Sequence, residues 1–137
     1  MTYGEYLKGC VNGEKDIIFV NISWGLGVGI IIDGKIYTGK SGFSGEFGHT
    51  STFDNEIICH CGKKGCLETE VSGIAIEDKM SHLIERGVNT ILKEKYDKQK
   101  SIHIDDIIAA AKNDDNLSIE LILSLIHISE PTRRVVI

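Results

Sequence analysis

Short apolar runs separated by turn residues dominate the first part of the chain. The run at residues 16–22 (Asp-Ile-Ile-Phe-Val-Asn-Ile) is almost continuously apolar, a pattern typical of a strand buried on both faces. Two further runs, at residues 28–32 and 35–38, flank Asp33-Gly34, and an Asp-Gly pair in this setting predicts a hairpin turn. A short helix at residues 3–11 is predicted before the first strand.

Helical spacing replaces this pattern after Leu67. One helix is predicted to end near Gly87, and a second is predicted to begin at Asp105-Asp106, where the acids favour the positive end of the helix dipole. The positions predicted to face inward are Ile74, Met80, Leu83 and Ile84 in the first helix, and Ile107, Ile108 and Ala111 in the second. The chain is therefore expected to have an α/β fold.

Both ends of the chain are unusual for a natural domain. No strand precedes the first helix, and residues 123–137 follow neither a helical nor a strand period. These last residues resemble the conceptual translation of a transposase adapter used to prepare sequencing libraries. We therefore expect native sequence to end near Ile122 and residues 123–137 to be a read-through tail. The alternative is an ordinary, poorly patterned tail.

Composition narrows the class of protein. The 137 residues, 42% of them hydrophobic, are enough for one domain with a core. A net charge of −5 argues against a nucleic-acid surface within these residues. Neither a membrane span nor a signal-peptide pattern is present, and free thiols without a signal peptide predict a cytoplasmic location. Cys10 is expected to be a small buried apolar residue.

The densest chemical signal is the loop at residues 59–66, which holds Cys59, Cys61 and Cys66 and begins ten residues after His49. Thiolates crowded this closely favour a structural zinc ion, which takes four sulfur or nitrogen ligands in a tetrahedron. A disulfide is the weaker alternative, because three thiols leave one unpaired. His49 and His60 are both candidates for the fourth ligand. We favour His49, since His60 lies between two ligands and would have to fold back on its own loop.

Glycines at alternate positions, Gly25, Gly27 and Gly29, join two predicted strands. Glycine allows backbone N–H groups to approach a phosphate closely, as they do in phosphate-binding loops. The signal is weak, because such glycines more often serve plain chain reversal and no Lys-Ser or Lys-Thr completes a P-loop.

Glu46, His49 and Glu68 form a second candidate site. Gly45 and Gly48 bracket Glu46, and Glu68 follows Cys66 by two residues, so one metal-ordered loop would position all three side chains. Carboxylates accept hydrogen bonds from hydroxyls, and an imidazole N–H donates to them. The set therefore suits a polyol such as a sugar, although each glutamate alone would more often be a solvated charge.

Three segments together carry a resemblance: Gly-Glu-Phe-Gly-His at residues 45–49, Cys-x-Cys-Gly-x-x-Gly-Cys-Leu-Glu at residues 59–68, and Ser72-Gly73. This signature closely resembles that of the ROK family, which combines bacterial sugar kinases with sugar-responsive transcriptional repressors. The resemblance implies a fragment of an actin-like, ribonuclease-H-like ATPase fold. Residues 1–122 would be a partial ROK domain, its second lobe truncated at both ends, with a β-meander followed by a zinc loop and helices.

The resemblance also implies roles for individual residues. His49, Cys59, Cys61 and Cys66 would bind structural zinc, and Glu46, His49 and Glu68 would contact sugar hydroxyls. The turn containing Gly25, Gly27 and Gly29 matches the loop that faces the nucleotide phosphates in family kinases.

Two departures from the family's kinases favour a regulator. Those kinases use an aspartate base in an Asn-Asp pair just upstream of the helix that opens this chain, so no catalytic residue is assigned here and Met1 is expected to be an internal methionine. They also usually carry Gly-Thr-Gly where this chain has Ser23-Trp24-Gly25, and the bulky indole disfavours nucleotide binding.

We therefore predict a piece of a sugar-sensing repressor, of the type that answers to N-acetylglucosamine or a related sugar. It would bind operator DNA through a helix-turn-helix outside this chain and form a homo-oligomer at full length. The alternative is an ATP-dependent, glucokinase-like hexose or N-acetylhexosamine kinase that uses Mg-ATP.

Overall fold

The computed structural model describes residues 2–9 and 11–129. It divides the chain into two compact units, Met1–Glu68 and Thr69–Ile137. Cys10, predicted to be buried and apolar, lies outside the described residues, as does the end of the predicted tail at residues 130–137.

A three-stranded antiparallel sheet forms the centre of the first unit. Helix α1 (Thr2–Lys8) is followed by β1 (Ile17–Ile22), β2 (Leu26–Ile32) and β3 (Lys35–Ile36), and the strands lie in the order β1-β2-β3. Asp33 and Gly34 both have positive φ, 51° and 73°, as a type I′ hairpin turn requires. The predicted hairpin and the β-meander are confirmed.

The expectation that β1 is buried on both faces was wrong for this sheet. Ile18 is 71% exposed and Val20 is 47% exposed. The physical reason is packing, because within the described residues no element of the first unit covers the face that carries Ile18 and Val20. Burial instead concentrates on β2, at Leu26 and Ile31.

The rest of the first unit has little regular structure and contains the cysteine loop at residues 59–66. A short 3₁₀ helix spans Glu46–His49, and a second spans Leu67–Thr69. Two isolated backbone bridges, Ser51 to Cys66 and Ile58 to Lys64, fold the cysteine loop back on the segment before it.

The described part of the second unit is helical: α2 (Gly73–Glu85), α3 (Lys93–Gln99), α4 (Ile104–Lys112) and α5 (Asn116–Ser129). Helix α2 begins at Gly73 rather than near Leu67, because the Ser72 side chain accepts a hydrogen bond from the N–H of Ala75 and caps the helix there. Its predicted end near Gly87 is confirmed within two residues.

The buried side of the helices differs in part from the prediction. Met80 and Ile84 are buried as predicted, but Ile74 is exposed and Ala75 and Ile76 are buried instead. In α4 the buried pair is Ile107 and Ala110, while Ile108 is exposed. In each helix, apolar spacing alone left the buried side ambiguous by one residue.

Helix α5 continues through Ser129, although no helical period was evident after residue 122. Leu121 and Leu125, four residues apart, are buried on one side of it. The origin of residues 123–137 as adapter sequence stays a prediction. In the part of the chain that is described, no helix has the length and apolar character needed to span a membrane.

Candidate functional site

A close backbone approach places the Glu46–His49 helix against β2. Gly45, which precedes it, has a φ of 87°, and a Cβ atom there would lie 2.1 Å from the carbonyl oxygen of Val28. Only glycine fits this position without moving the strand. Because a 3₁₀ helix has three residues per turn, the side chains of Glu46 and His49 lie on the same side.

Backbone hydrogen bonds fold the cysteine loop before any metal is considered. The N–H of Cys59 donates to the carbonyl oxygen of Lys63, and the N–H of Gly62 donates to that of Cys59, each over 2.8 Å. The loop is therefore a tight hairpin that turns its three cysteine side chains toward one centre.

Three cysteines and one histidine converge at that centre. The ligand atoms of His49, Cys59, Cys61 and Cys66 all lie within 4.8 Å of one another. His49 Nδ1 is 3.5 Å from Cys59 Sγ, and Cys61 Sγ is 3.6 Å from Cys66 Sγ. With zinc–sulfur bonds of about 2.3 Å and zinc–nitrogen bonds of about 2.0 Å, the edges of a tetrahedral site measure about 3.5–3.8 Å. The donor set and its spacing fit a tetrahedral metal ion.

His60 occupies a different position from His49. Its Nδ1 lies 4.0 Å from Cys59 Sγ but only 3.0 Å from Glu68 Oε1. Of the two histidines left open by the sequence, His49 is the one grouped with all three cysteines, whereas His60 groups with Glu68 and His49.

Burial gives the thiols unequal acidities. It raises the pKa of Cys59 to about 12 and also raises the pKa of Cys66, since a thiolate is poorly solvated there. The backbone N–H of Lys63 lowers the pKa of the exposed Cys61. A divalent cation at the centre would supply the positive charge that two buried thiolates need.

The predicted polyol-binding residues also lie together. His49 Nε2 is 3.7 Å from Glu46 Oε2, while its Nδ1 is 3.9 Å from Glu68 Oε1. The Glu46 side chain is 58% exposed and that of Glu68 only 12%. Glu68 Oε2 accepts a hydrogen bond from the N–H of Leu26 over 3.0 Å. One carboxylate thus faces solvent, and the other ties the cysteine loop to the turn before β2.

Of the three glycines assigned to a turn, Gly25 lies in the turn, whereas Gly27 and Gly29 lie within β2 and pair with Asn21 and Phe19. A Cβ atom on Gly25 would lie 2.6 Å from Glu68 Oε2, and one on Gly29 would lie 1.9 Å from Thr2 Oγ1, while the space beside Gly27 is open. The N–H of Leu26 is already bonded to Glu68. Two of the three glycines therefore have a reason to be glycine that involves no phosphate, and the assignment of this turn to phosphate binding stays a prediction.

Sequence reasoning missed two contacts. Lys63 Nζ donates to the carbonyl oxygen of His49, and His60 pairs with Glu68. Neither has a signal in the spacing of the chain, because the first depends on how the loop folds onto the Glu46–His49 helix and the second on how it folds onto the Leu67–Thr69 helix.

Comparisons with known proteins identify the family. The ROK family matches residues 1–128. The xylose repressor of Bacillus subtilis is 37% identical over 114 residues, which are 83% of this chain and 26% of the repressor. The N-acetylglucosamine repressor of Escherichia coli is 33% identical over 127 residues, covering 89% of this chain and 29% of that protein.

A solved structure has a similar fold. The ROK family glucokinase from Streptomyces griseus, in complex with glucose and AMPPNP, superposes with a TM-score of 0.79 at 28% identity, covering 93% of this chain and 42% of the glucokinase. The chain spans about a quarter of the length of the xylose repressor. Both repressors and sugar kinases are among its relatives, and the chain belongs to the ROK family.

Proposed function

We propose that this chain is the part of a sugar-responsive transcriptional regulator that binds a structural zinc ion and a sugar. The proposal rests mainly on one observation, which is that the two ring nitrogens of His49 face two different groups. Its Nδ1 faces the cysteine cluster and its Nε2 faces the exposed carboxylate of Glu46. A side chain fixed at one ring nitrogen presents the other in a defined direction.

The metal in this proposal is zinc, held by His49, Cys59, Cys61 and Cys66. Three thiols and one imidazole are a donor set that zinc prefers, and the four ligand atoms lie within 4.8 Å of one another. When bound, zinc supplies a cross-link that orders the loop. The chain's own residues then do the recognition.

The sugar is held through its hydroxyl groups. Glu46 accepts hydrogen bonds at the exposed edge, His49 donates from Nε2, and Glu68 lines the inner side of the same cluster. The hydrogen bond from Leu26 to Glu68 fixes the inner carboxylate before ligand arrives, which reduces the ordering cost of binding.

A regulator is favoured over an enzyme by the turn before β2. The relatives include the xylose and N-acetylglucosamine repressors, and this chain carries the bulky Trp24 at the turn where a phosphate group would have to approach. In the regulator, sugar binding shifts the population toward a form with lower affinity for operator DNA. Operator DNA would be bound through a helix-turn-helix outside this chain, and the full-length protein would form a homo-oligomer.

Operator release tests the proposal. Binding of the native gene product to its upstream DNA would be measured by fluorescence anisotropy with and without D-xylose, N-acetyl-D-glucosamine or D-glucose. We expect one of these sugars to weaken DNA binding by about 5- to 150-fold, the range of typical allosteric coupling. A sugar that stabilises the protein yet leaves its DNA affinity unchanged would overturn the proposed regulatory function.

A kinase is the second candidate. The similarity to a glucokinase with bound glucose and AMPPNP favours it. Such an enzyme would use Mg-ATP to phosphorylate a hexose or N-acetylhexosamine. Sugar-dependent ADP release in a coupled assay with the native gene product would reverse our ranking.

A further inference from the structure

Trp24 lies at the tip of the three-residue turn that joins β1 to β2. Ile22 and Leu26 form the last pair of the ladder, and the N–H of Ser23 donates to the carbonyl oxygen of Gly25 over 3.0 Å. The side chain of Asn21 donates to Ser23 Oγ, also over 3.0 Å. The turn is thus fixed by its own hydrogen bonds, while the indole it carries is 69% exposed.

The exposed indole borders the candidate sugar site. Its ring centroid is 5.8 Å from that of His60, with the two planes tilted by 42°. His60 in turn bonds to Glu68, and its ring lies 5.0 Å from that of His49. Glu68 also accepts a hydrogen bond from the N–H of Leu26, and Leu26 lies two residues after Trp24. An aromatic surface and a set of hydroxyl-binding groups therefore lie side by side.

This combination matches the two-sided chemistry of a sugar ring. A pyranose presents hydroxyls around its perimeter, which suit Glu46, His49 and Glu68, and C–H groups on its faces, which suit an aromatic ring. A rigid indole offers a large apolar surface and loses little conformational entropy when it is covered. Trp24 supplies the apolar aromatic surface that the carboxylates and the imidazole lack.

We propose that Trp24 is a sugar-binding residue that stacks against the C–H face of a pyranose whose hydroxyls bond to Glu46, His49 and Glu68. This inference rests on the proposed sugar site and adds to it an aromatic contact with one apolar face of the sugar ring. It also assigns a role to the residue that distinguishes this turn.

The test follows the Trp24 ring directly. The zinc-loaded native gene product is labelled with 5-fluorotryptophan, and its ¹⁹F NMR spectrum is recorded during titration with D-xylose, N-acetyl-D-glucosamine and D-glucose. The signal of Trp24 is assigned by its loss in Trp24→Phe. Saturation-transfer NMR of the sugar protons measures binding independently. We expect a saturable shift of the Trp24 signal and transfer to sugar C–H protons.

Two variants separate stacking from apolar bulk. Trp24→Phe keeps a ring and should retain binding within a few-fold, whereas Trp24→Leu keeps apolar volume without a ring and should weaken binding by about tenfold. Both should keep the same zinc content, since the ring contact of Trp24 is to His60, which is not a proposed zinc ligand. Equal affinities of Trp24→Leu and the native protein, or a sugar that binds without moving the Trp24 signal, overturn the stacking role and leave the sugar site standing. Failure of all three sugars to bind overturns the sugar site and the stacking role together.

Discussion

Lys63 donates a hydrogen bond from Nζ to the backbone carbonyl oxygen of His49 over 2.9 Å. The bond crosses from the cysteine loop to the Glu46–His49 helix, which are otherwise separate segments of the chain. It holds the backbone that carries the fourth candidate ligand against the loop that carries the other three. Its neighbour Lys64 points elsewhere and pairs with Glu56.

Lys63→Met should weaken zinc binding without changing its stoichiometry. The substitution removes the lysine bond to the His49 carbonyl oxygen, which also accepts from Cys66 Sγ over 3.7 Å. We expect an affinity loss of about three- to tenfold, at or below the lower end of outer-shell effects. Competition with a chromophoric chelator measures the affinity. Lys64→Met is the matched control, because it removes a neighbouring charge whose partner Glu56 is solvent-exposed. Equal losses in both variants would mean that charge, not positioning, is responsible.

Cys61→Ser should abolish tight zinc binding and unfold the loop. A serine hydroxyl is a poor zinc ligand, and the binding free energy of a structural metal contributes directly to folding. Zinc content by atomic emission and circular dichroism before and after a chelator would measure the effect. Cys10→Ser, which removes a thiol far from the loop in sequence, should keep one zinc per chain. Unchanged zinc content and dichroism in Cys61→Ser would refute the metal assignment.

Asp115 should make the second unit sensitive to acid. Burial alone would raise its pKa, but hydrogen bonds from Ser118, Thr90 and the N–H of Ile91 outweigh burial and lower it. A lowered pKa contributes stability above the unfolded value of about 3.8, and this contribution is lost as pH falls through the folded value.

Asp115→Asn puts amide hydrogens where donors now converge, and should cost about 1–3 kcal/mol at pH 7. Urea denaturation at pH 7, 5 and 3 should show this difference constant between pH 7 and 5 and smaller at pH 3. A difference that grows on acidification would contradict the depressed pKa.

Ile107→Ala should destabilise the second unit by about 2–5 kcal/mol, since it leaves a cavity at a fully buried position. Ile108→Ala is the matched control one residue later, at a side chain that is 38% exposed, and should cost less than half as much. Thermal unfolding followed by circular dichroism at 222 nm would compare them. Equal losses of stability in the two variants would support the prediction from the sequence that Ile107 and Ile108 both face inward.

The local features of this fold could be predicted from the sequence. Asp33-Gly34 predicted a hairpin because few turns accept two positive φ angles, and the cysteine spacing predicted a convergent cluster because its loop is short. The rotation of α2 and α4 was missed, since apolar residues stand next to one another in both helices and tertiary packing decides which of them turns inward. The pairing of His60 with Glu68 was out of reach, because it joins a loop to a helix through tertiary geometry that spacing does not encode.

The three sulfurs of the cysteine loop differ in their exposure to solvent, which would set how a bound ion leaves the centre. Cys59 and Cys66 are buried, and only Cys61 faces solvent. With an ion bound at the centre, a competing chelator would reach Cys61 before either buried sulfur, so the bond to Cys61 would be the first sulfur bond to open. His49, whose side chain is 23% exposed, would be the other accessible ligand. The lifetime of a bound ion would then depend on its exposed ligands.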